Sequence, residues 1–182
     1  MKKLLPFMLL MSLFMAACNN EKSNTEKEEM DTNKETTEST EVDEMAVNGA
    51  LLDLQMNVIK TVNEHDSAIY DFESAKAKEE DKPSDEELAT MKSDAESAAT
   101  TIAEDIRTLE VPAELESQKE EIEAGLEELA KSYETRAANL SDEANAEYKE
   151  SDDLFASFEE KMSNIYEATG LTSPSFSADI VD

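Results

Sequence analysis

Two residues occur only once in the chain, and each belongs to a type that performs chemistry. Cys18 is the single cysteine and His65 is the single histidine. A thiol serves as a nucleophile, a metal ligand or an attachment point, and an imidazole serves as a metal ligand or a general base. With one of each, the chain forms no disulfide within itself and no metal site built from several histidines.

The residues before Cys18 are typical of an export signal. The chain starts with two lysines after Met1, continues with an apolar run over residues 4–15, and places two alanines directly before Cys18. Small residues at that place suit cleavage by a signal peptidase. The run is shorter than the roughly 20 residues that cross a bilayer, which favours cleavage over a permanent membrane helix. We therefore predict a signal peptide over residues 1–17.

The last four of these residues, Met15-Ala16-Ala17-Cys18, resemble the lipobox of bacterial lipoproteins, although that family prefers leucine where this chain has Met15. The resemblance implies that the Cys18 thiol receives a diacylglycerol and that cleavage makes this cysteine the first residue. Two acyl chains hold a protein stably on a bilayer, whereas one binds only marginally. Cys18 is thus the predicted lipidation site, and the cell membrane the predicted first partner. The alternative is an ordinary secreted protein.

The acidic composition excludes some partners. Asp and Glu number 45 against 16 Lys and Arg, for a formal net charge of −29. Nucleic-acid binders carry basic surfaces, and anionic lipid headgroups attract lysine and arginine. We therefore expect no nucleic-acid partner and a domain that stands away from the lipid surface.

The segment that starts with the cysteine, residues 18–44, is polar and acidic. This composition predicts a disordered tether that acts as a spacer or only as a solubilising segment.

Apolar side chains recur at intervals of three and four residues beyond the tether, which indicates amphipathic helices. Four such stretches are predicted, at about 45–78, 84–109, 112–139 and 142–169. They predict an all-α protein, with an antiparallel up-down-up-down four-helix bundle over residues 45–170. The alternative is a three-helix coiled coil in which two of the stretches merge.

Local signals define most of the helix ends. Ser84 and Glu87 have the spacing of a capping box, Pro112 separates the second and third helices, and Gly170 is a left-handed end for the fourth. Between the third and fourth stretches, the apolar rows shift by one residue. That shift predicts a turn at 140–142 with Ser141 as the N-cap.

The residues 171–182 form a C-terminal tail that carries Phe176 and Ile180. We expect these two side chains to pack across the open end of the bundle, although a frayed tail is the alternative. The apolar rows fill the bundle interior, so they are expected to leave no room for a polar cleft with converging carboxylates.

Three helical positions have more than one interpretation. His65 lies between Val62 and Ile69 and is expected to be a satisfied residue on a helix face rather than a ligand. Arg136, one turn from Tyr133, either extends to solvent, pairs with a glutamate of a neighbouring helix, or binds an anionic ligand. Gly125 either permits a close helix crossing or has no role, at a cost of about 1 kcal/mol relative to alanine.

The chain has no Gly-x-Ser-x-Gly motif, no glycine-rich phosphate loop and no calcium-binding loop. We therefore assign no catalytic residue, no cofactor and no metal ligand. The general pattern is similar to that of small helical lipoproteins of Gram-positive bacteria. It predicts a non-enzymatic binding or structural module in the cell envelope, with an unidentified envelope or extracellular protein partner. The alternative is a lipoprotein that binds cations or small ligands on its acidic helix faces or in an interhelical pocket.

Overall fold

The computed structural model describes the backbone of residues 35–180 and the side chains of residues 43–180. The predicted signal peptide, Cys18 and the first part of the predicted tether lie outside the described residues. The helices are α1 (Glu35–Asn63), α2 (Ser67–Lys76), α3 (Asp85–Ile106), a 3₁₀ helix (Ala113–Leu115), α4 (Lys119–Asn139), α5 (Lys149–Ala168) and α6 (Phe176–Asp179). Residues 35–180 contain no strand, so the prediction of an all-α fold is confirmed for this part of the chain.

Two of the predicted helix ends are confirmed by their hydrogen bonds. The Ser84 hydroxyl accepts from the Glu87 N–H at 3.3 Å, and the Glu87 carboxylate accepts from the Ser84 N–H at 2.8 Å. At the end of α5, Gly170 has φ +76°, and the Leu171 N–H donates to the Tyr166 carbonyl at 2.9 Å. This is a Schellman motif, which turns the chain sharply out of α5.

The first predicted helix starts earlier than expected and is broken near its middle. α1 begins at Glu35, within the segment predicted to be a disordered tether, because extending a packed helix costs far less than nucleating one. The helix stops at Asn63, and the His65 and Asp66 N–H groups both donate to the Val62 carbonyl, at 3.0 and 3.1 Å. No glycine or proline marks this break, so the sequence pattern predicted one continuous helix.

The predicted turn at 140–142 is also wrong. Residues 140–148 form an irregular connection, called here the 140–148 loop, and α5 starts only at Lys149. Ser141 therefore does not cap α5; its hydroxyl accepts from the Glu143 N–H at 3.2 Å within the loop. The loop leaves helical geometry because Tyr148 turns inward, where its side chain is buried against α2.

The core is formed by apolar side chains from every helix. Its largest fully buried apolar members are Leu51, Leu54, Phe72, Ile102, Ile106, Leu115, Ile122, Leu129, Phe158, Tyr166 and Phe176. α3 contributes three alanines beside Leu88, Ile102 and Ile106. Burial raises the pKa of Tyr166 to about 12, and its hydroxyl donates to the Leu51 carbonyl at 2.9 Å, which joins α5 to α1.

The packing of α4 on α5 is the most extensive. Gly125 lies next to Phe158, whereas Ser132, further along α4, donates to the carbonyl of Ser151, earlier on α5, at 2.8 Å. The two helices therefore run in opposite directions.

The tail packs on the helices, as expected. Phe176 is fully buried, and its ring centroid lies 4.7 Å from that of Phe158 in an edge-on arrangement. Ile180 is also buried, and its carbonyl accepts a hydrogen bond from the Tyr70 hydroxyl at 3.3 Å. Among residues 35–180, no helix combines the length and apolar character needed to cross a membrane.

Candidate ligand-binding cavity

A cavity of about 760 Å³ opens between α2, α4, the 140–148 loop, the start of α5 and the tail. This volume lies within the range of about 300–1,000 Å³ that is usual for small-molecule sites. Its walls are formed by Asp66, Ile69, Tyr70, Glu73, Ser132, Tyr133, Arg136, Ala146, Glu147, Tyr148, Lys149, Ser151, Asp152, Asp153, Phe155, Ser177 and Ile180. The expectation that the apolar rows leave no room for a polar cleft is therefore wrong. Five acidic side chains line the wall, those of Asp66, Glu73, Glu147, Asp152 and Asp153.

Asp66 is the most buried charged group of the cavity wall, with 8 % of its surface exposed. The break between α1 and α2 puts it there, and its carbonyl accepts from the Ile69 and Tyr70 N–H groups at 2.9 and 3.2 Å. Burial raises the pKa of the Asp66 carboxyl, although the N–H groups of Asp66 and Ser67 partly oppose this. Within the described side chains, no lysine, arginine or histidine forms an ion pair with Asp66.

Aromatic rings form much of the rest of the wall. They belong to Tyr70 on α2, Tyr133 on α4, Phe155 on α5 and Tyr148 in the 140–148 loop. Burial raises the pKa of Tyr133, and the nearby Tyr70 and Asp66 raise it further. The Tyr133 phenol therefore stays neutral at physiological pH, and it has no hydrogen-bond partner among the described residues.

Arg136 is held at the wall by three contacts. Its Nη2 donates to Asp152 Oδ1 at 2.9 Å, its Nε donates to Ser151 Oγ at 3.4 Å, and its guanidinium carbon lies 4.1 Å from the centre of the Tyr148 ring. Of the three interpretations of Arg136, the structure shows pairing with an acidic residue of a neighbouring helix, which is an aspartate rather than a glutamate.

Sequence reasoning missed Lys76, which lies behind the wall and is 2 % exposed. Its ammonium pairs with Glu73 at 2.8 Å and donates to the Tyr148 hydroxyl at 2.8 Å and to the Ser141 carbonyl at 3.0 Å. Burial lowers the pKa of Lys76, but the bonds to Glu73 and Tyr148 outweigh it, so the pKa is raised overall. Lys76 thus fastens the 140–148 loop to α2.

Position 76 carries a signal that could have revealed this lysine. It follows Ile69 by seven residues and Phe72 by four, so a lysine stands in the row that is otherwise apolar. A lysine at such a position requires an acceptor inside the protein, and Glu73, one turn earlier, is the nearest candidate.

The Glu73 carboxylate of the wall has a partner for only one of its two oxygens. One oxygen of Glu73 pairs with Lys76, whereas its Oε1 is buried and has no hydrogen-bond partner within residues 43–180. Buried acceptors without donors are rare in native proteins, and each calls for an explanation.

The other singled-out residues do not line the cavity. His65 lies in the break between α1 and α2 rather than on a helix face, and its Nε2 lies 3.3 Å from Asp105 Oδ2, so it has a partner as expected. A Cβ at Gly125 would meet Phe158 at 3.6 Å and Lys161 at 3.7 Å, which are ordinary contacts, so the helix crossing does not require glycine. Over the described part of the chain, no three His, Cys, Asp or Glu side chains are placed to hold a metal ion.

Comparison with models of protein families, with curated proteins and with solved structures finds no match to this chain.

Proposed function

We propose that this protein is a lipid-anchored, extracytoplasmic binding module that holds a small ligand in the cavity. The observation that carries the proposal is a cavity of about 760 Å³ lined by aromatic rings and by the buried carboxylate of Asp66. Ligand sites are typically concave and mostly apolar, with a few polar groups that fix orientation. This function corresponds to the interhelical-pocket alternative of the sequence analysis.

The polar groups of the wall favour a binding role over a purely structural one. A buried charge without a counter-charge destabilises the folded state, and so does a buried polar atom without a partner. Among the described residues, Glu73 Oε1 is a buried oxygen without a hydrogen-bond partner, and Asp66 is a buried charge without a basic side chain paired to it. A ligand that supplies the missing partners accounts for both.

We propose binding rather than catalysis because the hydroxyls at the wall serve packing. Ser132 and Ser151 lie 3.2 Å apart, and Ser132 also donates to the backbone of α5. Among the described residues that line the cavity, no imidazole stands beside a hydroxyl to activate it as a nucleophile.

The scaffold we propose for this site is the antiparallel four-helix bundle, in which α1 and α2 together form the first helix. Contacts between α3 and α4 support it: Lys92 near the start of α3 lies 3.7 Å from Asp142, and Arg107 after the end of α3 pairs with Glu127 at 3.0 Å. These two pairs match opposite chain directions, as do the contacts between α4 and α5.

A protein partner in the envelope is the second candidate, and one surface of α1 supports it. Met45, Leu52 and Met56 are 75 %, 48 % and 67 % exposed. Their spacings of seven and four residues place them on one face of the helix, which is a pattern of helix-mediated contacts between proteins.

The ligand can be sought by native mass spectrometry of the full-length protein, extracted in mild detergent from the cells that produce it. We expect a bound small molecule in the wild type and in Ala144→Trp, which alters an exposed residue of the 140–148 loop outside the cavity wall. Ala146→Trp places an indole in the cavity and is expected to abolish the adduct. A wild type that binds nothing, or an adduct that survives Ala146→Trp, contradicts the proposal.

The anchor needs a separate test, since Cys18 lies outside the described residues. Cys18→Ala is expected to move the protein from the membrane fraction to the soluble fraction, because two acyl chains supply the stable attachment. Met15→Leu, which restores the residue that lipoproteins prefer, is the matched control and should remain in the membrane fraction. Membrane retention of Cys18→Ala would refute lipidation at this site.

A further inference from the structure

We infer that the ligand of the cavity is an organic cation, with an ammonium group that sits against Asp66 between the aromatic rings. This inference rests on the proposed function and specifies the chemical class of the ligand.

The charges of the wall favour a cation. Its acidic members are Asp66, Glu73, Glu147, Asp152 and Asp153, and its basic members are Arg136 and Lys149. Both basic groups are already paired, Arg136 with Asp152 at 2.9 Å and Lys149 with Asp153 at 2.7 Å. The uncompensated charge of the wall is therefore negative, and a concave surface of one sign concentrates ions of the other sign.

Two acidic residues lie at and on α2, on the side that faces the cavity. Asp66, directly before α2, Tyr70 and Glu73 follow one another at intervals of four and three residues, and all three line the cavity. Asp66 has no counter-charge among the described residues, and Glu73 Oε1 has no donor among them. A protonated amine donates up to three hydrogen bonds, and bonds between ions are roughly twice as strong as neutral ones.

The rings add a second kind of attraction. A cation within about 6 Å of the centre of an aromatic ring is attracted to its face, and the effect is larger where water is excluded. Tyr70, Tyr133 and Phe155 supply rings to the same cavity that Asp66 lines. The same protein uses this contact elsewhere, since the Lys76 ammonium lies 5.1 Å from the centre of the Tyr148 ring.

Two other ligand classes fit less well. An anion would need a free cationic group, but Arg136 is occupied by Asp152, Ser151 and the Tyr148 ring. A bare metal ion would need several converging ligands, and the described side chains provide no group of three or more.

The test is isothermal titration calorimetry of the full-length protein in detergent with four probes of similar shape. Benzylammonium and benzyltrimethylammonium are cations, benzyl alcohol is neutral and benzoate is an anion. We expect the two cations to bind with one site per chain and the other two probes to bind at least roughly tenfold more weakly. Ala146→Trp should abolish the binding of all four.

Two variants locate the cation. Asp66→Asn is expected to weaken cation binding roughly tenfold or more, whereas Asp94→Asn, the same substitution at an exposed position, should have no effect. Tyr70→Leu removes an aromatic ring at a position that is 36 % exposed, so it should destabilise the fold less than the loss of a fully buried ring would. The variant should weaken benzyltrimethylammonium binding several-fold. Helical circular dichroism verifies that each variant is folded.

The outcomes separate this inference from the proposed function. Equal binding of the neutral or anionic probe, or cation binding unchanged by both Asp66→Asn and Tyr70→Leu, overturns the cation assignment while the cavity remains a ligand site. Absence of binding by both cations overturns it as well. The proposed function is then still decided by the native mass spectrum and its response to Ala146→Trp.

Discussion

The two halves of α4 differ although they belong to one uninterrupted helix. In the first half, Ile122, Leu126 and Leu129 are buried in the apolar core. In the second half, Ser132, Tyr133 and Arg136 line the cavity. The first half therefore holds the helices together, whereas the second half provides polar groups that packing alone does not require.

Apolar burial stabilises at about 25 cal/mol per Å² without a directional partner, whereas a buried polar group needs a specific hydrogen-bond partner. Substitutions in the two halves of α4 should therefore have effects on stability that differ in size and in physical origin.

The largest effect is expected from Leu129→Ala in the apolar half. Leu129 is fully buried, so its truncation should lower the free energy of unfolding by about 3 kcal/mol through lost burial and a residual cavity. Ser132→Ala, one turn further along, should cost about 1 kcal/mol, the worth of one neutral hydrogen bond. Urea unfolding monitored by circular dichroism measures both, and equal losses would contradict the division of α4.

Lys76→Met is expected to lower the free energy of unfolding by about 2 kcal/mol, because Tyr148 and Ser141 lose their partner and Glu73 loses its counter-charge. Lys78→Met makes the same change at an exposed position and should have little effect. A Lys76→Met protein as stable as Lys78→Met would show that this lysine does not fasten the loop.

Asp66→Asn is expected to act in the opposite direction and raise stability at neutral pH. The pKa of Asp66 is higher in the folded chain than the ordinary 3.8, so its charge destabilises the fold as pH rises through the raised pKa. Above that pH the variant should therefore be more stable than the wild type. The gain should vanish below pH 3.8.

Urea unfolding from pH 3 to pH 8 is the measurement, with Asp94→Asn as the control for net charge. A difference between the two variants that does not change with pH would contradict a destabilising Asp66 carboxylate.

Gly125→Ala should give the smallest effect, a gain of about 0.5–1 kcal/mol. The added methyl group meets Phe158 at an ordinary 3.6 Å, and alanine is the better helix former. Thermal unfolding compares it with wild type, and a loss of stability would mean that the crossing of α4 and α5 requires glycine.

The apolar packing of the first half of α4 was predictable from the sequence, whereas the polar cavity beside its second half was not. Regular spacing identified the long helices, and the signals at Ser84 and Gly170 identified two of their ends. Periodicity succeeds there because packing of one helical face determines both the helix and its burial.

The cavity could not be predicted because it depends on departures from helical geometry. The break at residues 64–66 and the 140–148 loop carry no glycine or proline. The contacts of Lys76 and Tyr148 hold the loop, and His65 in the break contacts Asp105. Intrinsic propensity is a weak guide where such contacts decide the backbone.

The burial of Lys76 has a consequence for covalent labelling. Acylating reagents attack amines only when they are deprotonated and reachable, and this amine is enclosed by three acceptors and 2 % exposed. It should be among the last lysines of the chain to react, at a rate set by how often the loop lifts away from α2. The acylation rate of Lys76 should therefore report how often the 140–148 loop opens, and a ligand that holds the loop closed should lower that rate.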